Sequence, residues 1–310
     1  MGSAIGELEC KGLGKVYDGG KRALSSVSFT IPTAGIFALI GRNGAGKTTL
    51  TRILSTLLEP SEGGASIDGL DVMTDANRLR ERMAVVPQEA RAITWMSPVQ
   101  MITAYLLWRG LDYGEAKRRA MESVDKVGLR EHAHKLNRNL SGGMKRKVMV
   151  AMVIASGADL IFLDEPTTGL DPISRKELWD LLIDLSKDRF LFITTHYLEE
   201  AEQVADQIGI LDDGQLLVLG SMEELRAKLP YQYSLRLNMG AELPPFEGEK
   251  HTGRDGQVQV LTTQEEAMHL SRALLERNEQ FSVNPVTLDD IFYRMVGRTI
   301  SSEVEKEDGA

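Results

Sequence analysis

The plainest pattern along the chain is a set of short runs that are apolar throughout and end in polar or charged residues. Ile36-Phe-Ala-Leu-Ile40, Ala84-Val-Val-Pro87, Leu160-Ile-Phe-Leu163 and Phe190-Leu-Phe-Ile-Thr-Thr195 are too short for helices and lack the alternation of half-exposed strands. They read as strands buried on both faces, as in a parallel sheet. Stretches with apolar residues at helical spacing separate them: 49–58, 75–83, 98–109, 113–127, Ser141 to Ile154 or beyond, 173–187 and 197–204. Alternating strand and helix predicts an α/β fold around a parallel sheet.

The first residues follow another rule. Residues 7–31 read as two or three strands with a turn at Asp18-Gly19-Gly20, and Pro32 ends the partly alternating run Leu24–Ile31. A turn and short hairpin follow over 59–72, and a second hairpin over 207–220 turns at Asp213-Gly214. Ser221 then caps a short helix, 222–229. Residues 96–137 carry few strand signals and predict a helical block, with its two helices separated by Gly110 and Gly114. Trp95, Met96, Met101, Tyr105 and Trp108 fall in or beside it, as core or as a groove for a partner helix. The composition shifts after Pro230. Strands at 231–239 and 257–263 and helices at 264–278 and 287–296 make a small α+β appendage over 230–300, with an acidic tail at 301–310 expected to be disordered.

Charge and cysteine usage narrow the setting. The 310 residues hold 36 Lys and Arg against 45 Asp and Glu, a net charge of −9 that speaks against nonspecific nucleic-acid binding. Cys10 is the only cysteine, which excludes an intramolecular disulfide and a cysteine-cluster metal site and suits a reducing cytosol. The first 12 residues lack the apolar core of a signal peptide. The most apolar window, 148–163, is interrupted by Ser156, Gly157 and Asp159, so no membrane-spanning helix is expected.

The chemistry gathers where strands end. Gly41-Arg-Asn-Gly-Ala-Gly-Lys-Thr-Thr49 fits G-x-x-x-x-G-K-[ST] between a predicted strand and helix, the context that makes the pattern a triphosphate site. Its glycines let backbone N–H groups face one anion, Lys47 would reach the β- and γ-phosphates, and the Thr48 hydroxyl would hold Mg²⁺. Asp164 and Glu165 close an apolar strand, where one carboxylate can hold the metal and the other act as general base. Gln88 and His196 also stand just past strand ends, as ligand contacts or as solvated loop residues. Ser141-Gly-Gly143 opens a helix, either a second anion site or an ordinary cap. Tyr17 could stack on an adenine; by itself it reads better as a half-buried strand aromatic.

In this order the motifs resemble those of the ATP-binding subunit of ABC transporters. Gly41–Thr49 resembles that family's Walker A, Gln88 its Q-loop, Leu140-Ser-Gly-Gly-Met144 its signature, Leu160–Glu165 its Walker B, Leu170-Asp171 its D-loop and His196 its switch histidine. The resemblance covers residues 5–229. It implies a P-loop NTPase core with an antiparallel β subdomain and an inserted α-helical subdomain near 89–157, within an ATPase domain over 1–229. It further implies that Tyr17, Gly41, Asn43, Gly44, Ala45, Gly46, Lys47, Thr48 and Thr49 hold ATP. Ser141, Gly142, Gly143 and Asp171 would complete the site of a second copy. Thr48, Gln88 and Asp164 would hold Mg²⁺, and Glu165, His196, Gln88 and Lys47 would serve hydrolysis. Pro285-Val-Thr-Leu-Asp-Asp-Ile-Phe292 resembles the tail motif of drug- and lipid-exporter ATPases, including the daunorubicin-resistance group. The implied protein is an exporter's ATPase motor, a homodimer held on the cytoplasmic face of the membrane by a separate permease. The alternative is a soluble ABC ATPase of translation, repair or iron–sulfur assembly. Such translation members usually carry two domains, and repair members carry coiled-coil or zinc-finger insertions; this sequence has neither.

Overall fold

The computed structural model describes residues 6–238, 243–252 and 257–296, so the expected tail at 301–310 lies outside the described residues. Backbone packing divides these into two units, 6–197 with 204–217, and 198–203 with 218–296.

In the first unit, β1 (Glu7–Val16) pairs antiparallel with β2 (Arg22–Pro32) and with β4 (Glu62–Ile67), and β5 (Leu70–Asp71) folds back on β4. Leu24, Val27, Phe29 and Ile31 are the buried positions of β2, the face that its partial alternation predicts.

The second sheet has the order β10-β9-β3-β8-β7-β6, built from β10 (Gln215–Gly220), β9 (Gln207–Asp212), β3 (Ile36–Ile40), β8 (Phe190–Thr195), β7 (Leu160–Asp164) and β6 (Met83–Val86). The pairs β9/β3, β3/β8, β8/β7 and β7/β6 are parallel. Every residue of β3, β7 and β8 is buried, which is why these strands read as continuous apolar runs. Parallel strands bring their carboxyl ends to one edge, and the register is specific: Ile40 lies opposite Thr195, and Asp164 opposite Thr194. β8 sits between β3 and β7, so the glycine loop and the acidic pair flank its end.

Helices cover this sheet. α1 (Lys47–Leu54) begins inside the glycine loop and stops short of the expected residue 58; Thr56 takes a left-handed φ of 63° soon after its end. α2 (Ala76–Arg82) precedes β6, and α6 (Pro172–Ser186) precedes β8. α3 (Pro98–Trp108), α4 (Tyr113–Lys126) and α5 (Gly142–Ser156) form the helical block, with N-caps Ser97, Asp112 and Ser141. Gly114 lies within α4 rather than separating the two helices, because Asp112 accepts from the N–H groups of Gly114 and Glu115 and starts α4 there. Ile102, Leu106, Ala116, Ala120, Val124, Val148 and Ala151 share one buried cluster. The aromatic stretch divides: Met101 is buried, Met96 and Tyr105 pack against the cluster, and Trp95 and Trp108 stay 68% and 83% exposed.

The second unit is α+β. A sheet of order β12-β13-β11-β14, from β11 (Tyr233–Asn238), β12 (Gly248–Thr252), β13 (Gln257–Thr262) and β14 (Phe281–Pro285), is antiparallel throughout. Leu235, Leu237, Val258 and Val260 bury against Ala267, Leu270 and Leu274 of α9 (Gln264–Glu276). Residues 198–203, of α7 (Leu198–Val204), and α8 (Met222–Ala227) pack here, although the sequence groups 1–229 together. Glu202 explains this: it takes Arg226 Nη2 at 2.6 Å and the N–H of Leu288, which opens α10 (Leu288–Val296), at 2.8 Å. Among the described residues no helix is long and apolar enough to cross a membrane.

Candidate nucleotide site

The loop after β3 is tightly constrained. A Cβ added at Gly41 would lie 2.2 Å from the Leu211 carbonyl oxygen, so only glycine fits beside β9. Gly46 has φ 108° and would press a Cβ to 2.5 Å from the Ala23 carbonyl. Ala45 is buried, whereas Asn43 and Gly44 are exposed at the loop's crest. Thr48 is half-buried on the first turn of α1, which has no side-chain cap of its own. Those first-turn N–H groups are the donors an anion satisfies.

Lys47 is buried and gathers negative partners. Its Nζ donates to the carbonyls of Gly41 at 2.8 Å and Arg42 at 3.2 Å, and lies 3.6 Å from Glu165 Oε1. Burial pushes its pKa down, against the pull of Glu165 and Asp164.

Glu165 is the point of convergence. Its Oε2 accepts from Thr168 Oγ1 at 3.0 Å and Gln88 Nε2 at 3.4 Å, and faces His196 Nδ1 at 3.2 Å. Burial favours the neutral acid, but His196, Lys47 and Thr168 together outweigh it and hold the carboxyl at about 2. The backbone of Glu165 is left-handed, φ 48°, with its N–H directed at Thr194 O and Oγ1 at 3.1 and 3.0 Å. The Thr194 hydroxyl donates to the buried Asp164 carboxylate, fixing the two acids from the neighbouring strand. The His196 ring lies tilted against Tyr197 with centroids 4.2 Å apart, and the Tyr197 ring centre lies 4.2 Å from the Arg175 guanidinium.

Of the residues expected from the sequence, Gly41–Thr49, Gln88, Asp164, Glu165 and His196 lie together at the carboxyl ends of β3, β6, β7 and β8. The sequence reading did not include Thr168 and Thr194. A threonine inside a fully apolar strand was the available signal, because a buried hydroxyl must find a partner. Tyr17 hydrogen-bonds Thr49 Oγ1 through its hydroxyl at 3.2 Å, and Lys15 Nζ lies 5.7 Å over its ring.

The remaining expected residues serve helix starts. Ser141 accepts from Met144 N, and Asp171 from Ile173 N and Ser174 N. Both side chains are exposed, as is Gly142. Gly143 is buried, and a Cβ there would sit 2.6 Å from Ser174 Oγ, so packing within its own chain already demands glycine. A cavity of about 460 Å³ lies between these groups, lined by Gln88, Gly142, Lys145, Arg146, Glu165 and Thr168 among others. Among the described residues no three acidic, histidine or cysteine side chains gather to hold a metal.

Comparison with known proteins agrees with this geometry. The family model described as ABC transporter matches residues 24–168. The daunorubicin/doxorubicin resistance ATP-binding protein DrrA of Streptomyces peucetius is 32% identical over 97% of this chain and 95% of its own length. The structure of an ATP-binding subunit of an ABC transporter matches with a TM-score of 0.64 at 27% identity, over 73% of this chain and 93% of that one. The structure of cbiO1 from Clostridium perfringens, part of the ABC transporter complex cbiONQ, matches with the same score at 26% identity, over 71% and 90%. Kinship running nearly end to end, around a loop shaped for phosphates, places the chain in the ABC transporter family as one of its ATP-binding, ATP-hydrolysing subunits.

Proposed function

We propose that two copies of this chain close around two ATP molecules and drive a separate membrane permease that exports its cargo. One convergence carries the catalytic part: Lys47, Gln88, Thr168 and His196 all meet the carboxylate of Glu165. In this reading Lys47 turns from Glu165 to the β- and γ-phosphates, with the loop N–H groups of residues 41–49 around them and Tyr17 against the adenine. Losing that cation lets the Glu165 pKa rise from about 2 toward the range in which a carboxylate accepts a proton from the attacking water. His196 and Gln88 orient the water and the γ-phosphate. Thr48, Gln88 and, through water, Asp164 would hold Mg²⁺, which offsets phosphate charge.

The exposed start of α5 supports the second copy. Ser141 and Gly142, exposed at that helix start, and the exposed Asp171 present polar groups that a partner's bound ATP would meet. The exporter reading draws on DrrA, a resistance protein by name, and on cbiO1 as part of a transporter complex. Exposed Ile93 and Trp95, close after the Q-loop, suit contact with a permease on the cytoplasmic face of the membrane.

Glu165→Gln tests the core of this. ATP binding stays within about twofold, turnover falls at least ~100-fold as for other lost general bases, and an ATP-dependent dimer accumulates. Turnover at the wild-type rate would sink the assignment. Purification from native membranes tests the partner, where recovery of the chain without a membrane protein would count against the exporter.

A further inference from the structure

Arg146 reaches from α5 to the end of β7. Its Nε donates to the Pro166 carbonyl at 2.6 Å, and its Nη2 to the carbonyls of Glu165 at 2.7 Å and Asp164 at 3.3 Å. One guanidinium therefore holds three successive carbonyls, a task suited to its planar array of donors and not to an ammonium. The middle carbonyl belongs to the residue with the left-handed backbone, φ 48°, a conformation that side chains with a Cβ keep only when their surroundings enforce it. Thr194 enforces it from the N–H side and Arg146 from the carbonyl side. Burial and the nearby Arg91 both disfavour charge on Arg146, yet the fork sits there. It is not a surface pair placed by chance.

We propose that Arg146 is a positioning residue for ATP hydrolysis: it fixes the backbone of Glu165 so that the carboxylate keeps its aim. It does so from the helix that Ser141 caps. Rotation of α5 pulls directly on the Glu165 carbonyl, so a contact at the start of that helix is felt at the base of the same chain. The inference rests on Glu165 being the base, as proposed above.

The test uses the full chain and follows ATP affinity and turnover separately. Arg146→Gln is expected to lower kcat at least tenfold while the ATP dissociation constant stays within threefold and the unfolding temperature changes little. Arg146→Lys keeps the charge but cannot span the carbonyls; it is expected to regain only part of the loss. The Lys variant also serves if the Gln variant does not fold, with a kcat drop of fivefold or more at unchanged ATP affinity. Wild-type kcat in either folded variant, or a kcat loss that merely follows lost ATP binding, would overturn the proposal. Failure of the underlying reading shows elsewhere, as wild-type turnover in Glu165→Gln whatever Arg146 does.

Discussion

Two helix starts of the first unit, those of α1 and α5, are built in opposite ways. The start of α1 has no side-chain cap, and its lysine is buried against carbonyls and a carboxylate. The start of α5 is capped by its own Ser141, exposed, and close to a cavity lined by three basic side chains, Arg91, Lys145 and Arg146. A buried ammonium needs partners, and Lys47 finds them in the Gly41 and Arg42 carbonyls and Glu165. An exposed, self-capped helix end needs none and can wait for a second molecule. Under the proposed function, the first end serves ATP held by its own chain and the second serves ATP held by another copy.

Lys47→Ala breaks the first side most severely. Losing charge-assisted bonds to two phosphates should weaken ATP binding about 100-fold, measured by equilibrium titration. Ser141→Arg breaks the second side: ATP binding to the isolated chain should stay within about twofold, while hydrolysis falls at least ~10-fold because the bulk obstructs the partner's site. Loss of binding instead would mean that Ser141 acts in its own site.

Acid titration sharpens the buried side. Glu165 is depressed in the fold to about 2 from an ordinary 4.5, so its stabilisation is present above pH 4.5 and is lost as pH falls toward 2. Wild type should exceed Glu165→Gln by on the order of 2 kcal/mol near neutrality in urea unfolding without nucleotide, with the gap closing over that window. A gap that does not change with pH would deny the coupling to Lys47 and His196. The smallest effect falls at Tyr17. Tyr17→Ala should cost roughly fivefold in ATP affinity and Tyr17→Phe less than about twofold if the ring face is the contact. Equal losses would point to the Thr49 hydrogen bond instead.

How much of this could be read from the chain varied with the reach of each interaction. Strands β3, β7 and β8 are buried on both faces, so their apolar runs announce them. Strands β12 and β14 went unseen because they are the two edges of their sheet. An edge strand needs one neighbour only, and Gly-Glu-Lys-His-Thr and the proline-ended Phe281–Pro285 carry little pattern. The motif residues of the site were legible because each follows a strand. Thr194 and Arg146 were not, since their partners lie 30 and 18–20 residues away along the chain and no local spacing encodes that contact.

Gly41 and the turn at Gly214 bear on whether such a loop can be moved to another protein. Gly41 must be glycine because β9 runs beside it, and Gly214 N–H holds the Ala45 carbonyl at 3.0 Å. Part of the loop's support is therefore supplied by chain near residue 211 to 214, far from the motif in sequence. Grafted onto a sheet without that hairpin, the same nine residues would keep their spelling and lose their support. The transferable unit is the loop together with the hairpin that props it.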